Sequence, residues 1–515
     1  MKSKDEVKTL ATALWSMHQA EQLNLDTIND YVRGEAGYPS LPEGSEDDVK
    51  EIRKKCVHNV LSLVRDTFVQ NLVVSGYRPA TSPDNARPWT LWRRNRMTAR
   101  QRMVYRDAVT YGAAYVVVSR SRGQVRFMPR SPRQLIAVYA DARIDEWPVA
   151  ALDTWTQTVN GKKVRRAELL DETHSWLIDL GEVPVAGEVS ARSLQVVEIS
   201  EPIEHGARLD GEPVCPVVRF VNDPDSEELL QGEIGPLIDE QRAINEVNFE
   251  RMIVARFGAW PQKVISGWEP SSTTELLRAS ARHVWAFGDA EVKTSAFPAG
   301  QLQPYTDMLV QMIEHVAASA QISPASVTGK MINVSAEALA AAEAKEQRKL
   351  AAKRDAFGES WEQVLRLGAS LEGDEESADD VEAEVIWTDT EARTFAQVID
   401  GIAKLTQGEQ ALPIVPLLPL IPGLTALQRA ELQDGLRRSR NAELLAALPS
   451  GTDGQSTTED AQEIKARFDA MGVAIRSGVD SAVAAERVGL SGLQFTGAVP
   501  VTLRMPEQDA AKLED

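Results

Sequence analysis

Between residues 113 and 221 the apolar side chains of this chain leave the three- and four-residue spacing they keep on either side. They fall instead into short β-branched and aromatic runs. A fold that contains this switch needs a block of sheet set between two groups of helices, which makes the chain α+β. Ahead of the block, Val7, Leu10, Leu14, Met17, Leu25, Ile28 and Val32 mark one helical face, and the proline-rich stretch 38–44 ends it. A second helix is expected from about Ser45 through Ile52, Cys56, Val60, Leu63 and Val64 towards Gly76. Inside the block, 114–118, 124–128 and 135–139 read as strands, with 195–199 and 216–221 completing the set. Asn160-Gly161 between two such runs predicts a hairpin with a type I′ turn.

After the block, Pro236 fits the first turn of a helix carrying Leu237, Ile238, Ile244, Val247 and Met252 to about Phe257. A mixed segment, 260–301, includes a strand at 283–287. Helices are expected at 305–319 and 335–371, the second capped by Ser335 and about 55 Å long if continuous. Its first half is polar, with Glu343, Lys345, Glu346, Arg348 and Lys349; its second half offers Leu350, Phe357, Trp361, Val364 and Leu371. Residues 372–384 hold eight acids and no base, the composition of a solvated loop. Then come a strand at 385–388, helices at 391–405 and 425–448, a linker at 450–459, and two short helices within 460–490.

The four prolines at 413, 416, 419 and 422 rule out a membrane span through 411–427 and suggest a polyproline II strut. The acidic, alternating-charge N-terminus has no signal-peptide character. Cys56 and Cys215 are too far apart in sequence to read as a CxxC or zinc-ribbon pair, which points to a reducing compartment.

No chemistry emerges from motif tests. Gly329-Lys330 would need glycine at 324 for a phosphate loop and finds Pro324. The six histidines form no HExxH and no i, i+4 pair. We therefore expect no catalytic residue, no metal and no cofactor. Charge is more informative. The 515-residue chain carries a formal −20, yet 85–140 holds twelve arginines and one acid, Asp107, a net +11 that leaves −31 on the remainder. Arg93, Arg94, Arg96, Arg100 and Arg102, with Trp89, Trp92, Tyr105 and Tyr111 interleaved, suit phosphate contact and base stacking. The preferred reading is a bridge to acidic surfaces of a neighbouring subunit, which the −31 remainder makes attractive.

Several runs resemble the portal, or head-to-tail connector, proteins of tailed double-stranded DNA phages, in the version common in phages of actinobacteria. EIGPLIDEQRAIN at 233–245 is similar to the start of that family's stem helix, and AWPQ at 259–262 to the point where its chain leaves for the clip. QISP at 321–324 with VSAEAL at 334–339 resembles the tunnel loop and the start of the long wing helix. VIWTD at 385–389 is similar to the strand before the crown, and FDAMGVAIRSGV at 468–479, with Ala484-Ala485 and Gly489-Leu490, to a C-terminal extension.

The resemblance implies a wing at 1–225, a stem helix at 226–257, a clip at 258–302 and a second stem helix at 303–321. It further implies a tunnel loop at 322–334, a long wing helix and strand at 335–388, a crown at 389–450 and an extension at 451–515. It implies a ring of twelve subunits at one capsid vertex of the virion, assembled in the host cytoplasm. Double-stranded DNA would pass through the ring beside Thr328, Gly329, Lys330, Met331 and Asn333. The clip, with Trp260 and Trp268, would meet the terminase large subunit and then a head-completion protein, while major capsid and scaffolding proteins surround the ring; no membrane is involved. The alternatives are a nucleic-acid-binding subunit of a DNA-processing enzyme, using the arginines as its docking face, and a capsid-interior scaffold.

Overall fold

The computed structural model describes residues 2–388 apart from 81–84, 86, 183–195, 228–229, 259–262, 267–292, 297–299 and 330–335. Beyond them it describes 395–406, 413–421, 431–439 and the helical positions 428, 470, 471, 483, 485 and 487. Two compact units result, Met1–Arg393 and Thr394–Asp515.

The first unit opens with α1 (Lys4–Arg33). Ser3 and Glu6 cap it reciprocally, and Gly34 closes it at φ 72°. Its apolar stripe serves two cores. Val7, Ala11, Leu14 and Trp15 cover one sheet, while Ile28, Tyr31 and Val32 enter the main core. Helices α2 (Asp47–Lys55) and α3 (Leu61–Asn71), strand β1 (Val74–Arg78) and helices α4 (Arg87–Arg94) and α5 (Met97–Tyr111) follow.

The sheet block starts with β2 (Ala113–Ser121) and β3 (Gln124–Arg130), then β4 (Leu135–Val138), β5 (Ala150–Val159), β6 (Lys162–Asp171) and β7 (His174–Glu182). Short pairs β8 (Glu198–Ile199) and β9 (Ile203–Glu204), then β10 (Arg208–Leu209) and β11 (Glu212–Pro213), precede β12 (Val217–Val221). Strands β4-β5-β6-β7-β8 form one antiparallel sheet, with β9 also on β7, and β12-β2-β3 another. The turn between β5 and β6 has Asn160 at φ 51° and Gly161 at φ 79°, the two left-handed residues that a type I′ turn requires. Strand β2 is buried on both faces. Ala114, Val116 and Val118 join the main core, and Tyr115 and Val117 meet Leu135, Ala151, Leu170 and Cys215. That explains an uninterrupted apolar run in an antiparallel setting.

A 3-10 turn at Gly235–Leu237 leads into α6 (Ile238–Gly258). Next come an antiparallel pair, β13 (Lys263–Ser266) with β14 (Lys293–Ala296), and α7 (Gln303–Ala320). One turn, α8 (Pro324–Thr328), precedes the long helix α9 (Ala336–Glu372); α10 (Glu375–Ala378) and β15 (Glu384–Trp387) end the unit. The second half of α9 is the spine of the main core. Trp361 meets Phe220 at 4.6 Å and Trp92 at 4.8 Å between ring centroids. Its indole N–H donates to the Tyr105 hydroxyl at 2.8 Å, satisfying a polar atom that burial would otherwise penalise.

The structure departs from the sequence reading in four places. The helix expected from Ser45 towards Gly76 breaks between Cys56 and Val60, because α6 side chains take the backbone groups that would continue it. Asn248 donates to the Cys56 carbonyl at 2.6 Å and Gln241 to that of His58 at 2.7 Å. The Asn245 and Gln241 carbonyl oxygens accept from the N–H groups of His58 and Val60 at 3.0 and 2.9 Å. The end of that expected helix is instead β1, paired with β15.

The acidic run is only partly the solvated loop expected: six of its eight acids are exposed, but it contains a helical turn and a strand start and is anchored by buried groups. Asp374, Ser377 and Asp380 are buried, Arg87 and Arg94 reach Asp374 and Glu372, and Arg78 pairs with Glu384. The loop after α7 contains the α8 turn. In the second unit, α11 (Phe395–Leu405) is followed by a 3-10 turn at Val415–Leu420 where a polyproline II strut was expected. There Leu417 N–H donates to Ile414 O at 3.0 Å and Ile421 N–H to Leu418 O at 3.2 Å, so the residues between the prolines close three-residue turns. The expected strand at 283–287, the linker at 450–459 and most of the C-terminal helices lie outside the described residues.

Candidate functional site

Helices α7 and α9 flank the run 321–335 in sequence, and α8 lies within it. Helix α7 ends at Gln321, φ 61°, whose N–H returns to Ala317 and Ala318 carbonyls. Ser323 then starts α8, and its N–H donates to the buried Glu346 carboxylate of α9 at 3.1 Å. Burial pushes the Glu346 carboxyl above its usual range, with Glu343 adding to the effect. Thr328 donates its hydroxyl to Pro324 O at 2.9 Å, and Gly329, φ 65°, closes the turn through Ala325 O. Lys330, Met331 and Asn333, like Trp260 and Trp268, lie outside the described residues.

Beside this frame sits a buried ionic cluster that the sequence reading missed. Glu233, just before the 3-10 turn, accepts from Lys353 at 2.6 Å on one oxygen and from Lys349 at 2.5 Å on the other. Asn222, just after β12, accepts from Lys353 at 2.7 Å and donates to Glu233 at 3.1 Å. Lys349 also donates to Ala320 O, at the end of α7, at 3.1 Å. Both ammonium groups lie over the Phe68 ring, at 5.2 and 5.3 Å. Burial pushes the Glu233 carboxyl up, but Lys353 and Lys349 outweigh it and hold the group below its ordinary value. Lys353 is lowered by its own burial, which Glu233 opposes. The cluster thus ties the end of β12, the start of α6, the end of α7 and the middle of α9 together. In sequence, only the EIGP run hinted at Glu233; two lysines four apart in a charged helix gave no signal.

The arginines do not act as one group. Arg94 is spent on Glu372 of the same chain at 3.2 Å, Arg130 on the buried Asp153 at 2.6 Å and Arg133 on Asp26 at 2.7 Å. Arg93, Arg96, Arg100 and Arg102 are exposed and meet no acid among the described residues, and the same holds for Arg120 and Arg122. Buried Asn95 sets their arrangement. It donates to Val125 O at 3.2 Å and accepts from Phe127 N–H at 3.0 Å, fastening the corner between α4 and α5 to β3. Across the ladder from Val125 stands the exposed Arg120, on the strand next to the one that holds the corner. Trp92, Tyr105 and Tyr111, one candidate source of base stacking, are buried or half-buried and engaged in the core.

The family of phage portal proteins, SPP1 Gp6-like, matches residues 13–434. The chain belongs to that family, the portal proteins that form the head-to-tail connector of phage virions. It is 27% identical over 401 residues to the portal protein of Mycobacterium phage D29, covering 72% of this chain and 76% of the relative. To the portal protein of Mycobacterium phage L5 it is 25% identical over 385 residues, with the same coverages. Among solved structures, it is similar to a chain from the virion of a native gene transfer agent particle, with TM-score 0.43 and 11% identity over 77% of this chain and 99% of that one. A chain from the neck of an empty gene transfer agent particle gives TM-score 0.42 and 11% identity over 74% and 96%.

Proposed function

We propose that twelve copies of this chain close into a ring at one capsid vertex, the conduit through which double-stranded DNA is packaged and later ejected. The observation that carries this reading is the family match, whose bounds, 13–434, take in the sheet block, α6, α7 and α9. Within it, residues 1–225 and 335–388 form the wing, 226–257 and 303–321 the stem, 322–334 the tunnel loop and 389–450 the crown. Residues 258–302 form the clip and meet the terminase large subunit, then a head-completion protein, through Trp260 and Trp268. Lys330 touches the DNA backbone in passing, and the chain performs no catalysis of its own. Assembly takes place in the host cytoplasm with scaffolding and major capsid proteins. The family match favours this reading over a docking subunit of a DNA-processing enzyme.

Light scattering on the purified protein tests the ring. Twelve chains of 56.6 kDa should give roughly 680 kDa, with a central hole in negative-stain images; a chain that stays monomeric across protein and salt concentration contradicts it.

A ring needs one contact closed by rotation, so opposite surfaces of one chain must match. Arg93, Arg96, Arg100, Arg102, Arg120 and Arg122, which meet no acid among the described residues, supply the basic side, and the −31 remainder supplies acids for the other. Charge reversal at Arg93 and Arg96 together is expected to lower the ring fraction most at low salt, with added salt restoring part of it by screening the new repulsion. Rings that persist unchanged at low protein concentration would remove these arginines from the subunit contact. Arg94 is a separate case, because its reversal acts first on Glu372 of its own chain.

A further inference from the structure

Between the end of α7 and the first half of α9, Ala318, Gln321, Lys345, Arg348 and Lys349 line an open cleft of about 610 Å³. Its cations stand at positions i, i+3 and i+4 of one helix, neighbours on a single face. Like charges at that spacing repel, yet neither Lys345 nor Arg348 meets an acid among the described residues. Arg348 gives its Nε–H to Ala344 O at 3.1 Å, which leaves its two terminal amino groups unpartnered among the described residues. Lys349 does not relieve the charge. It belongs to the cluster in which one carboxylate, Glu233, serves two lysines.

We propose that this cleft holds a phosphodiester of the DNA backbone as the duplex passes, with Arg348 and Lys345 as the contacting cations. The proposal rests on the portal reading above and extends it to residues outside the tunnel loop. Two observations favour nucleic acid over a neighbouring subunit. Among the described residues the walls carry three cations and one apolar side chain, Ala318, whereas the centre of a protein interface is depleted in charge; cation-rich surfaces are those that meet phosphates. One wall of the cleft is α9, the helix that directly follows residues 330–335 in sequence, the loop assigned above to the DNA path. A pair of cations per subunit adds grip that salt screens, enough to steady a moving polyanion without arresting it.

The test compares the full-length protein with a Lys345→Ala/Arg348→Ala variant, leaving Lys349 to the buried cluster. Two quantities are measured on each: mass by light scattering, and binding of a fluorescently labelled duplex by anisotropy across a salt series. The expected result is an unchanged mass with duplex affinity at least about tenfold weaker at about 50 mM salt, and a salt slope lower by about 1 for each phosphate contact removed. Equal affinity and slope would overturn the proposal, as would an unmutated protein that binds no duplex at low salt. Variant rings that fall apart would assign the cleft to the subunit contact instead. An unmutated chain that forms no ring would overturn the portal reading, while the duplex comparison still decides the cleft.

Discussion

Replacing Glu233 by Gln is expected to destabilise the chain by about 3–5 kcal/mol, the range for removing one partner from a buried ion pair. The amide matches the carboxyl in shape, so the loss is one of charge. Lys353, 3% exposed, would keep its ammonium group next to Asn222 with no carboxylate to offset its desolvation. Lys349 would lose its ion pair and keep the weaker bond to Ala320 O. Because the cluster joins four elements, the damage should not stay local, and the midpoint of urea unfolding at fixed protein concentration should fall. Adding Lys353→Met should restore part of the loss, since removing both partners leaves less unpaired charge. If the double variant is as unstable as the sum of its parts, the charge argument fails.

The pH dependence has a definite sign. The native Glu233 carboxyl titrates below its ordinary value of 4.5, so its contribution is complete above that value and is lost as the pH falls through the lowered one. The gap between the original protein and the variant should be flat from about pH 5 to 8 and should close on acidification below it.

The elements that could be read from sequence are those whose partners are close in sequence or whose apolar spacing is long and regular. Helices α1, α6 and α9 and the β5–β6 hairpin belong here; Asn160-Gly161 carries its turn geometry in two residues. What escaped was set by distant side chains. The break between α2 and α3 depends on Gln241, Asn245 and Asn248, which stand more than 180 residues away in the chain. Strand β1 exists because β15 pairs with it, Tyr77 opposite Val385, and five residues ending in a glycine-containing run had no local reason to be a strand. The anchoring of the acidic run escaped because its arginine partners, Arg78, Arg87 and Arg94, belong to another segment.

The site shows the same division. Composition exposed the arginine segment but could not separate Arg130 and Arg133, held by Asp153 and Asp26, from Arg93 and Arg96, which meet no acid among the described residues. Glu233 stood in a run that resembled the family, yet its role depends on lysines more than a hundred residues later.

Gly232→Ala is expected to cost about 3 kcal/mol or more, for a reason rooted in the same junction. Gly232 has no left-handed backbone requirement, so space alone is at issue. A Cβ there would overlap the Thr110 carbonyl and lie 2.9 Å from Gly112 N. Those are backbone atoms at the end of α5, which cannot swing aside as a side-chain tip can, so the added carbon must displace the chain itself. Gly112 approaches from the other side, at φ 97°, with a Cβ position 2.6 Å from Leu230 O; alanine there adds left-handed strain to the overlap.

Gly161→Ala is the control, a left-handed turn glycine at φ 79° with nothing within 4 Å, where about 1 kcal/mol of conformational strain is all that is expected. Were Gly232→Ala no worse than Gly161→Ala in the same unfolding assay, the close approach would not constrain the fold. The backbone that Gly232 would displace also carries Glu233, whose N–H donates to Val109 O at 2.8 Å, so moving it shifts the carboxylate away from Lys353. The two losses therefore draw on one arrangement, and Gly232→Ala combined with Glu233→Gln should cost less than their sum, the signature of sites that share partners.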